Sequence, residues 1–315
     1  MDENEALELL GRLLPAAPPG EVWWGDDAAA VDVPGGGRQL LLALDTVVAG
    51  VDADLSLTRL SDLGWKAMAV NLSDIAAMGG TPAHAVVSVA GLGARSLPDL
   101  YEGLLEASTR YGCPVVGGDL SSGEQLVVSV AVTGWSEGHA VLRSGASPGD
   151  TIWVTSPLGA AAAGLRCLRE RAAKGRAGWA RDGQLSPEQE ALVSAHARPV
   201  PALAEGSAAK KVGATAMIDV SDGLATDLSR LARSSGVGFE LAEVPVAPGA
   251  TLLEALGGGD DYVLVFTLPP PVAPAPAFEA VGLRAPIPLG ACVADTGRHH
   301  LGGVPLAVAG WEHVL

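Results

Sequence analysis

The chain has 315 residues and a formal net charge of -16, and 48% of its residues are hydrophobic but only 4% aromatic. That length can hold two domains with sizeable cores, and the hydrophobic content is typical of a globular protein. The acidic balance argues against a nucleic-acid partner, because no basic stripe is available to neutralise phosphates. A phosphate-bearing ligand stays compatible with it, since carboxylates can bind such a ligand through Mg²⁺.

The three cysteines, Cys113, Cys167 and Cys292, are widely separated and match neither zinc-ligand spacing nor a disulfide framework. They favour a reducing compartment. The acidic N-terminus lacks the pattern of a signal peptide, and no uninterrupted run of about 18 apolar residues offers a membrane span. We therefore expect a cytoplasmic protein with no membrane partner.

The first predicted element is a short amphipathic helix over residues 3–14. The acidic segment Gly25-Asp26-Asp27 then separates two apolar pieces, and a plain turn explains it most simply. Residues 39–51 form a near-continuous apolar run, typical of a strand covered on both faces. Asp45 is the only charged residue of that run. It is therefore a carboxylate at a position where burial would require a partner.

In the segment from Trp65 to Pro82, the apolar positions up to Met78 predict a helix that is apolar nearly all round and therefore buried. Gly79 and Gly80 are expected to end it. Asp74 is the only charged side chain between Lys66 and Arg95, and it shares one helix face with Asn71. Either this carboxylate caps a neighbouring loop, or it meets a cation, a polar network or a metal ion.

The next elements are a strand over 83–92, a helix over 97–111 capped by Ser96 or Asp99, a strand over 113–119, and a strand over 125–135. The third of these ends in two glycines and Asp119, so an acid again follows an apolar strand. Turn-rich residues from 138 to 150 predict a boundary there. We divide the chain into domains 1–140 and 141–315.

The second half begins with a helix over 159–173 and a polar, solvated helical segment over 174–190. A strand then leads into Asp219 and Asp222, which precede a helix over 224–234; helix N-capping by Ser221 and Asp222 is the simplest explanation of these residues. Asp260 and Asp261 follow three glycines and precede a strand over 263–267. The proline-rich residues 269–278 predict a surface loop or stiff spacer.

Seven carboxylates punctuate apolar segments without basic partners nearby in the sequence: Asp26, Asp27, Asp45, Asp74, Asp119, Asp219 and Asp222. This recurrence favours divalent cations such as Mg²⁺, with caps and turns as the alternative. The phosphate-binding G-x-x-x-x-G-K-[ST] loop and the protein-kinase motifs H-R-D and D-F-G are absent, as are G-x-S-x-G and H-E-x-x-H.

Taken together, these segments resemble the thiamine-monophosphate kinase family of the aminoimidazole ribonucleotide synthetase superfamily. The matching pieces lie in family order: 25–29, 45–50, 66–79, 117–119, 143–146, 148–150, 218–224, 258–262 and 310–313. One such piece would be weak, but the ordered set spans the chain from end to end.

The resemblance implies a two-domain α+β/α/β fold. Its N-terminal domain, with a mixed β-sheet and helices, would bind ATP and Mg²⁺ and pair with a second copy into a dimer barrel, and its C-terminal domain would be α/β. The implied activity is that of a phosphotransferase with a phosphate acceptor: thiamine monophosphate and ATP would give thiamine diphosphate. A homodimer and several Mg²⁺ ions are implied, with a monovalent cation as a further candidate cofactor.

The resemblance also assigns roles to single residues. The implied Mg²⁺ ligands are Asp27, Asp45, Asp74, Asp119, Asp219 and Asp222. The implied ATP contacts are Tyr111, Gly118, Asp119, Arg143 and Ser221. Asp52, Asp260 and Trp311 would contact the thiamine substrate, and Asp74, Asp119, Arg143 and Asp222 would carry catalysis.

The chain departs from the family pattern mainly at the expected acceptor contacts. Asp52 stands where the family usually has His, and Asp260 and Val263 stand where it usually has Glu. Leu44 replaces a usual Thr, and Leu120-Ser121 replace a usual pair of Thr residues. The metal-rich motifs keep their acids. Two alternatives stay open: another ATP-using enzyme of the superfamily, or a non-catalytic ATP/Mg²⁺ sensor with an altered acceptor pocket.

The acceptor of the implied reaction is itself a phosphate that is ionised at neutral pH. It needs no protein nucleophile, and the main obstacle is repulsion between two polyanions. We therefore expect direct in-line transfer assisted by several Mg²⁺ ions, with Arg143 on the ATP phosphates and no phosphorylated enzyme.

Overall fold

The fold is described from a computed structural model, which describes residues 3–175, 185–306, and 310 and 311. The elements of the first half are α1 (Glu3–Leu13), β1 (Ala29–Asp32), β2 (Arg38–Val48), α2 (Leu60–Ala77), β3 (Thr81–Ala90), α3 (Leu97–Arg110), β4 (Val115–Ser121) and β5 (Val127–Glu137). The strands form one five-stranded sheet in the order β1-β2-β5-β3-β4. Only the β3–β4 pair is parallel, so the sheet is mixed, as expected.

The elements of the second half are β6 (Thr151–Val154), α4 (Ala160–Ala173), α5 (Pro187–Ala197), α6 (Leu203–Val212), β7 (Ala216–Asp219), α7 (Leu224–Ser235), β8 (Gly238–Leu241), α8 (Leu252–Gly257), β9 (Leu264–Leu268), α9 (Ala275–Glu279), β10 (Ile287–Val293), β11 (His299–Leu301) and β12 (Val304–Pro305). Their strands form a separate seven-stranded sheet in the order β12-β11-β8-β10-β6-β9-β7. Two sheets with helices thus give the two-domain architecture that the resemblance implies.

Helix α2 is the centre of the molecule. Fifteen of its eighteen residues are buried, as its all-round apolar sequence predicts. It packs against α3 at very close range, because a Cβ on Gly64 would lie 2.0 Å from the Leu100 carbonyl oxygen, and one on Gly103 would lie 1.7 Å from that of Ser61. It also contacts α6 of the second half. Acids carried by α2 therefore lie between the two sheets.

Strand β2 is covered on one face only, so the prediction of a strand covered on both faces is wrong for the single chain. Leu41, Ala43 and Val47 are buried, whereas Leu42 and Leu44 are 43% and 65% exposed. Such alternation is that of a sheet with helices on one side. Leu44 pairs with Ala131 of β5, and Ala131 pairs with Val86 of β3, which is 44% exposed. The exposed face therefore extends across these three strands.

Three smaller predictions also need correction. Ser96 precedes α3, but its side chain makes no capping hydrogen bond. The residues predicted as a loop or spacer, 269–278, contain most of α9, which is anchored by the fully buried Phe278. Helix α7 is capped neither by Ser221 nor by Asp222; instead, the Asp227 side chain accepts hydrogen bonds from the backbone N–H groups of residues 222 and 223.

Part of the predicted polar segment 174–190 lies outside the described residues, but α5 begins within it. Of the chain-terminal motif 310–313, Gly310 and Trp311 are described. Among the described helices, none combines the length and the apolar character that a membrane crossing demands.

Candidate active site

Three carboxylates from three different elements meet between the two sheets. Asp27 lies in the loop before β1, Asp74 lies in the last turn of α2, and Asp219 ends β7. One oxygen of each lies within 4.8 Å of the others. Each carboxylate ends or interrupts an apolar segment, and this feature of the sequence is what identified all three.

Arg143 provides the positive charge closest to this cluster. Its Nη2 donates to Asp27 Oδ1 at 2.5 Å, and its backbone N–H donates to Asp26 Oδ2 at 3.0 Å. Burial, followed by the charge of Asp27, raises the pKa of Asp26 to about 7. Asp27 is buried, and its second oxygen, Oδ2, has no hydrogen-bond partner in the part of the chain that the structure describes.

Burial and mutual repulsion raise the pKa values of the other two carboxylates. Burial, and then the charges of Asp45, Asp219 and Asp27, hold the pKa of Asp74 well above its usual range. Burial and the charge of Asp27 do the same to the pKa of Asp219, although Ser73 Oγ donates to Asp219 Oδ2 at 2.5 Å. Three close oxygen donors, one of them orphaned, fit a hard divalent cation such as Mg²⁺.

Two further acids lie next to this cluster. The Asp45 carboxylate opens into a cavity, and the Asp45 backbone N–H donates to Asn71 Oδ1 at 2.8 Å. Burial, and to a smaller extent the charges of Asp222 and Asp27, raise the pKa of Asp45. Asp222 lines the same cavity and is ion-paired with Arg230. The cationic partner of Asp27 is therefore distant in the sequence, whereas that of Asp222 follows eight residues later, in α7.

The cavity has a volume of about 440 Å³ and lies between the two halves of the chain. It brings together Asp45, Asp52, Ser221, Asp222, Asp260 and Trp311, all of which are predicted site residues. Asp52 also has a local role, since its Oδ2 accepts the Val48 N–H at 2.8 Å. Trp311 is 49% exposed there, and its backbone N–H donates to the Asp222 carbonyl oxygen at 3.1 Å.

Three predicted residues lie apart from both the carboxylate cluster and this cavity. Gly118 and Asp119 line a second cavity, of about 480 Å³, along β4. The register pairs Ser88 with Asp119 and Val87 with Gly118, so Asp119 is on the outward face of the sheet while Asp45 is on the helix-covered face. Tyr111 follows α3 and packs edge-on against Trp65, with ring centroids 5.9 Å apart. The metal role of Asp119 and the ATP contacts of these residues stay predictions.

Sequence reasoning missed several residues of the main cavity, among them Lys66, Arg169, His196 and Tyr262. Ser73 was missed as well, although it contacts Asp219 directly. Lys66 carried a usable signal, because a lysine inside a helix that is buried all round requires an anionic partner. His196 and Arg169 carried none, since their surroundings depend on how α4 and α5 pack.

Both halves of the chain match known domain families. Residues 25–136 match the N-terminal domain of AIR synthase related proteins, and residues 147–285 match the C-terminal domain of the same proteins. Together with the two sheets and the acidic cluster between them, these matches define the class of protein to which the chain is similar.

Individual relatives narrow this class. The chain is 36% identical over 261 residues to the thiamine-monophosphate kinase of Bacillus subtilis, covering 79% of this chain and 78% of that protein. It superposes on the crystal structure of the Aquifex aeolicus enzyme with a TM-score of 0.76 and 28% identity, covering 97% and 99% of the two chains. It superposes on AaThiL complexed with AMPPCP and TMP with a TM-score of 0.85 and 29% identity, covering 99% and 97%. The chain belongs to the thiamine-monophosphate kinase family.

Proposed function

We propose that this protein transfers the terminal phosphoryl group of ATP to thiamine monophosphate, giving thiamine diphosphate and ADP. The observation that carries the proposal is the meeting of Asp27, Asp74 and Asp219 close to Asp45, which lines a cavity whose walls include Asp52, Asp260 and Trp311. The relatives named thiamine-monophosphate kinase add the substrate, since the residues alone define only a site for a phosphate and an aromatic cation.

The acidic cluster and the cavity have separate parts in the proposal. Asp27, Asp45, Asp74, Asp219 and Asp222 would hold Mg²⁺, and the bound ions would screen the negative charge of the two phosphates. Asp119, which lies in the second cavity, would be a ligand away from this group. Asp27 holds the guanidinium of Arg143, which would contact the ATP phosphates. The indole of Trp311 offers a flat apolar surface to the thiamine rings, with Asp52 and Asp260 nearby to balance the thiazolium charge.

The residues of the site provide no covalent step in this proposal. The acceptor oxygen is already ionised, so neither a nucleophile nor a strong general base is required of the protein. The chain's contribution is to align the two phosphates and to exclude water. A homodimer formed through the outward face of the first sheet belongs to the same proposal, as does location in the cytoplasm.

The test is an assay of purified protein with ATP, Mg²⁺ and thiamine monophosphate. We expect thiamine diphosphate and ADP in equal amounts, and no labelled protein when radiolabelled ATP is acid-quenched during turnover. Label retained on a side chain would contradict direct transfer. ATP consumption that does not respond to thiamine monophosphate would favour another enzyme of the superfamily, and ATP binding without consumption would favour a sensor.

A further inference from the structure

Lys66 is a buried cation at the wall of the main cavity, and it has no part in the proposed phosphoryl transfer. It lies in the first half of α2 with only 7% of its side chain exposed. Its Nζ donates to Asp260 Oδ2 at 2.6 Å. The pair joins two elements 194 residues apart in the sequence. One of them is the helix that carries Asp74, and the other is the loop that precedes β9.

The carboxylate of Asp260 is held on both oxygens. Tyr262 Oη donates to Oδ1 at 3.1 Å while Lys66 holds Oδ2. Burial raises the pKa of Asp260, but the charge of Lys66, with His196 and Tyr262, outweighs it and holds the pKa below its usual value. The carboxylate is therefore ionised at neutral pH and cannot rotate without losing one of these partners.

The loop that carries Asp260 has an unusual backbone. Asp260 and Tyr262 have φ values of +61° and +49°, in the left-handed region that side-chain-bearing residues rarely adopt. Their backbone N–H groups donate to the carbonyl oxygens of Ser221 and Val220 at 2.7 and 2.9 Å. The loop therefore lies directly against the segment that ends in Asp222, and its strain must be offset by contacts such as the pair with Lys66.

A purely stabilising role explains this arrangement poorly. A buried ion pair is weak evidence for stability, because the desolvation of both charges offsets their attraction. His196, which is also buried, leaves its Nδ1 without a hydrogen bond among the described residues, 3.8 Å from Asp260 Oδ2. Burial lowers the pKa of His196 to about 4, so it is neutral and does not replace Lys66 as the counter-ion.

We propose that Lys66 is a positioning residue, which holds the Asp260 carboxylate in the orientation that receives the thiamine end of the substrate. By the same contact it fixes the Asp260 loop to the helix that carries Asp74, so the substrate end and the phosphate end of the cavity keep a constant spacing. This inference rests on the proposed function, because it assigns Lys66 to the binding of thiamine monophosphate and not of ATP.

The test compares steady-state kinetics of Lys66→Met with those of the wild type, varying each substrate separately. We expect the KM for thiamine monophosphate to rise roughly tenfold or more, while the KM for ATP and kcat change by no more than about threefold. Lys66→Arg, which keeps the charge, should recover part of the lost affinity.

Lys210→Met is the matched control. Lys210 also joins the two halves of the chain, because its Nζ donates to Ser136 Oγ and to the Glu137 carbonyl oxygen, but it does not line the cavity. We expect its two KM values to equal those of the wild type. A comparable rise in the KM for thiamine monophosphate in this variant would mean that loosened packing, and not Asp260, is responsible, and would overturn the inference.

A double substitution makes the test specific to the pair. Lys66→Met with Asp260→Asn removes both charges, so its KM for thiamine monophosphate should be no higher than that of the worse single variant. If the two substitutions raise the KM for thiamine monophosphate by factors that multiply, the role of Lys66 is overturned and the proposed function is intact. An unchanged KM in Lys66→Met would have the same meaning. Failure of the wild type to phosphorylate thiamine monophosphate would instead refute the proposed function and the inference together.

Discussion

Substitution of Asp74 should change catalysis and stability in opposite directions. Burial and three neighbouring carboxylates hold its pKa well above the usual range, so in the absence of a cation its negative charge is unfavourable. Asp74→Asn should therefore lower turnover by about a hundredfold or more, because a predicted Mg²⁺ ligand is lost. The free energy of unfolding without divalent cations should rise, because the amide carries no charge to bury among the neighbouring carboxylates.

The measurement combines the kinase assay with thermal unfolding in the presence and absence of Mg²⁺. Mg²⁺ should stabilise the wild type more than Asp74→Asn. Glu124→Gln, an exposed acid in the turn before β5, serves as the control and should match the wild type in both assays. Near-normal turnover of Asp74→Asn at limiting Mg²⁺ would contradict the metal role.

Gly310 makes a second prediction at the level of a single residue. A Cβ at this position would lie 2.2 Å from Thr226 Oγ1 and 2.6 Å from the Asp222 carbonyl oxygen, both impossibly close. Gly310→Ala should therefore displace the adjacent Trp311 from the cavity wall. We expect a several-fold rise in the KM for thiamine monophosphate with little change in unfolding temperature, since the segment lies at the surface.

The control for this change is Gly297→Ala in an exposed turn, where the nearest atom to a Cβ would be 3.5 Å away. It should leave both KM values unaltered. An unchanged KM in Gly310→Ala would show either that Trp311 keeps its place or that it does not contact the substrate. Trp311→Ala measured in parallel separates these cases, because only the second leaves its KM unchanged as well.

The candidate acids could be predicted from the sequence, but their partners could not. An isolated Asp in an apolar segment is visible in the sequence, because burial of an unpaired charge is costly wherever it falls. The guanidinium that meets Asp27 comes from Arg143, 116 residues later, and the ammonium that meets Asp260 comes from 194 residues earlier. Such pairs are set by the packing of the two halves, on which local patterns carry no information.

Helix α4 gives a prediction at the level of a single element, because its N-terminus is capped by a carboxylate from another loop. Asp261 accepts the Gly159 N–H at 2.6 Å and the Ala161 N–H at 3.2 Å. Burial raises the pKa of Asp261 from 3.8 to about 6, despite these hydrogen bonds. Because the pKa is higher in the folded state, stability contributed by the protonated form is complete below about pH 4 and is lost as the pH rises through 6.

Asp261→Asn should remove this pH dependence. The free energy of unfolding of the wild type, minus that of the variant, should fall by about 2 kcal/mol between pH 4 and pH 7. Denaturant unfolding of both proteins across that range measures the difference, and the subtraction cancels the other carboxyl groups. A difference that is constant or rises with pH would show that the helix N-terminus, and not burial, dominates the ionisation of this residue.

Element types were easier to predict than element faces. The helix around Asp74 and the strand around Asp45 follow directly from the length and period of their apolar runs. The face on which Asp119 lies does not, because it depends on the pairing of β4 with β3, and a shift of one residue would turn its side chain to the other side of the sheet. The proline-rich segment likewise gave no sign that Phe278 would anchor a short helix.

The whole molecule presents an open sheet whose uncovered face carries exposed apolar side chains. Leu42, Leu44 and Val86 are exposed on the face opposite α2 and α3, and β1 and β4 are the edge strands of that sheet. Open edges and an apolar face are unfavourable in water, and pairing with a second copy would cover them. Asp119 lies on this same face, in the edge strand β4, so the proposed dimer would bring a second copy close to it.

Leu44→Arg tests the proposed dimer. Burying a leucine contributes about 1.5–3 kcal/mol, and an arginine at the centre of a two-fold interface would also meet its own copy. We expect sedimentation velocity at micromolar concentration to give a dimer for the wild type and a monomer for Leu44→Arg. Leu253→Arg is the matched control: Leu253 on α8 is even more exposed, at 73%, but lies in the other half of the chain, so this variant should stay dimeric. A monomeric wild type would refute the proposed dimer, and a dimeric Leu44→Arg would place its contact away from this face.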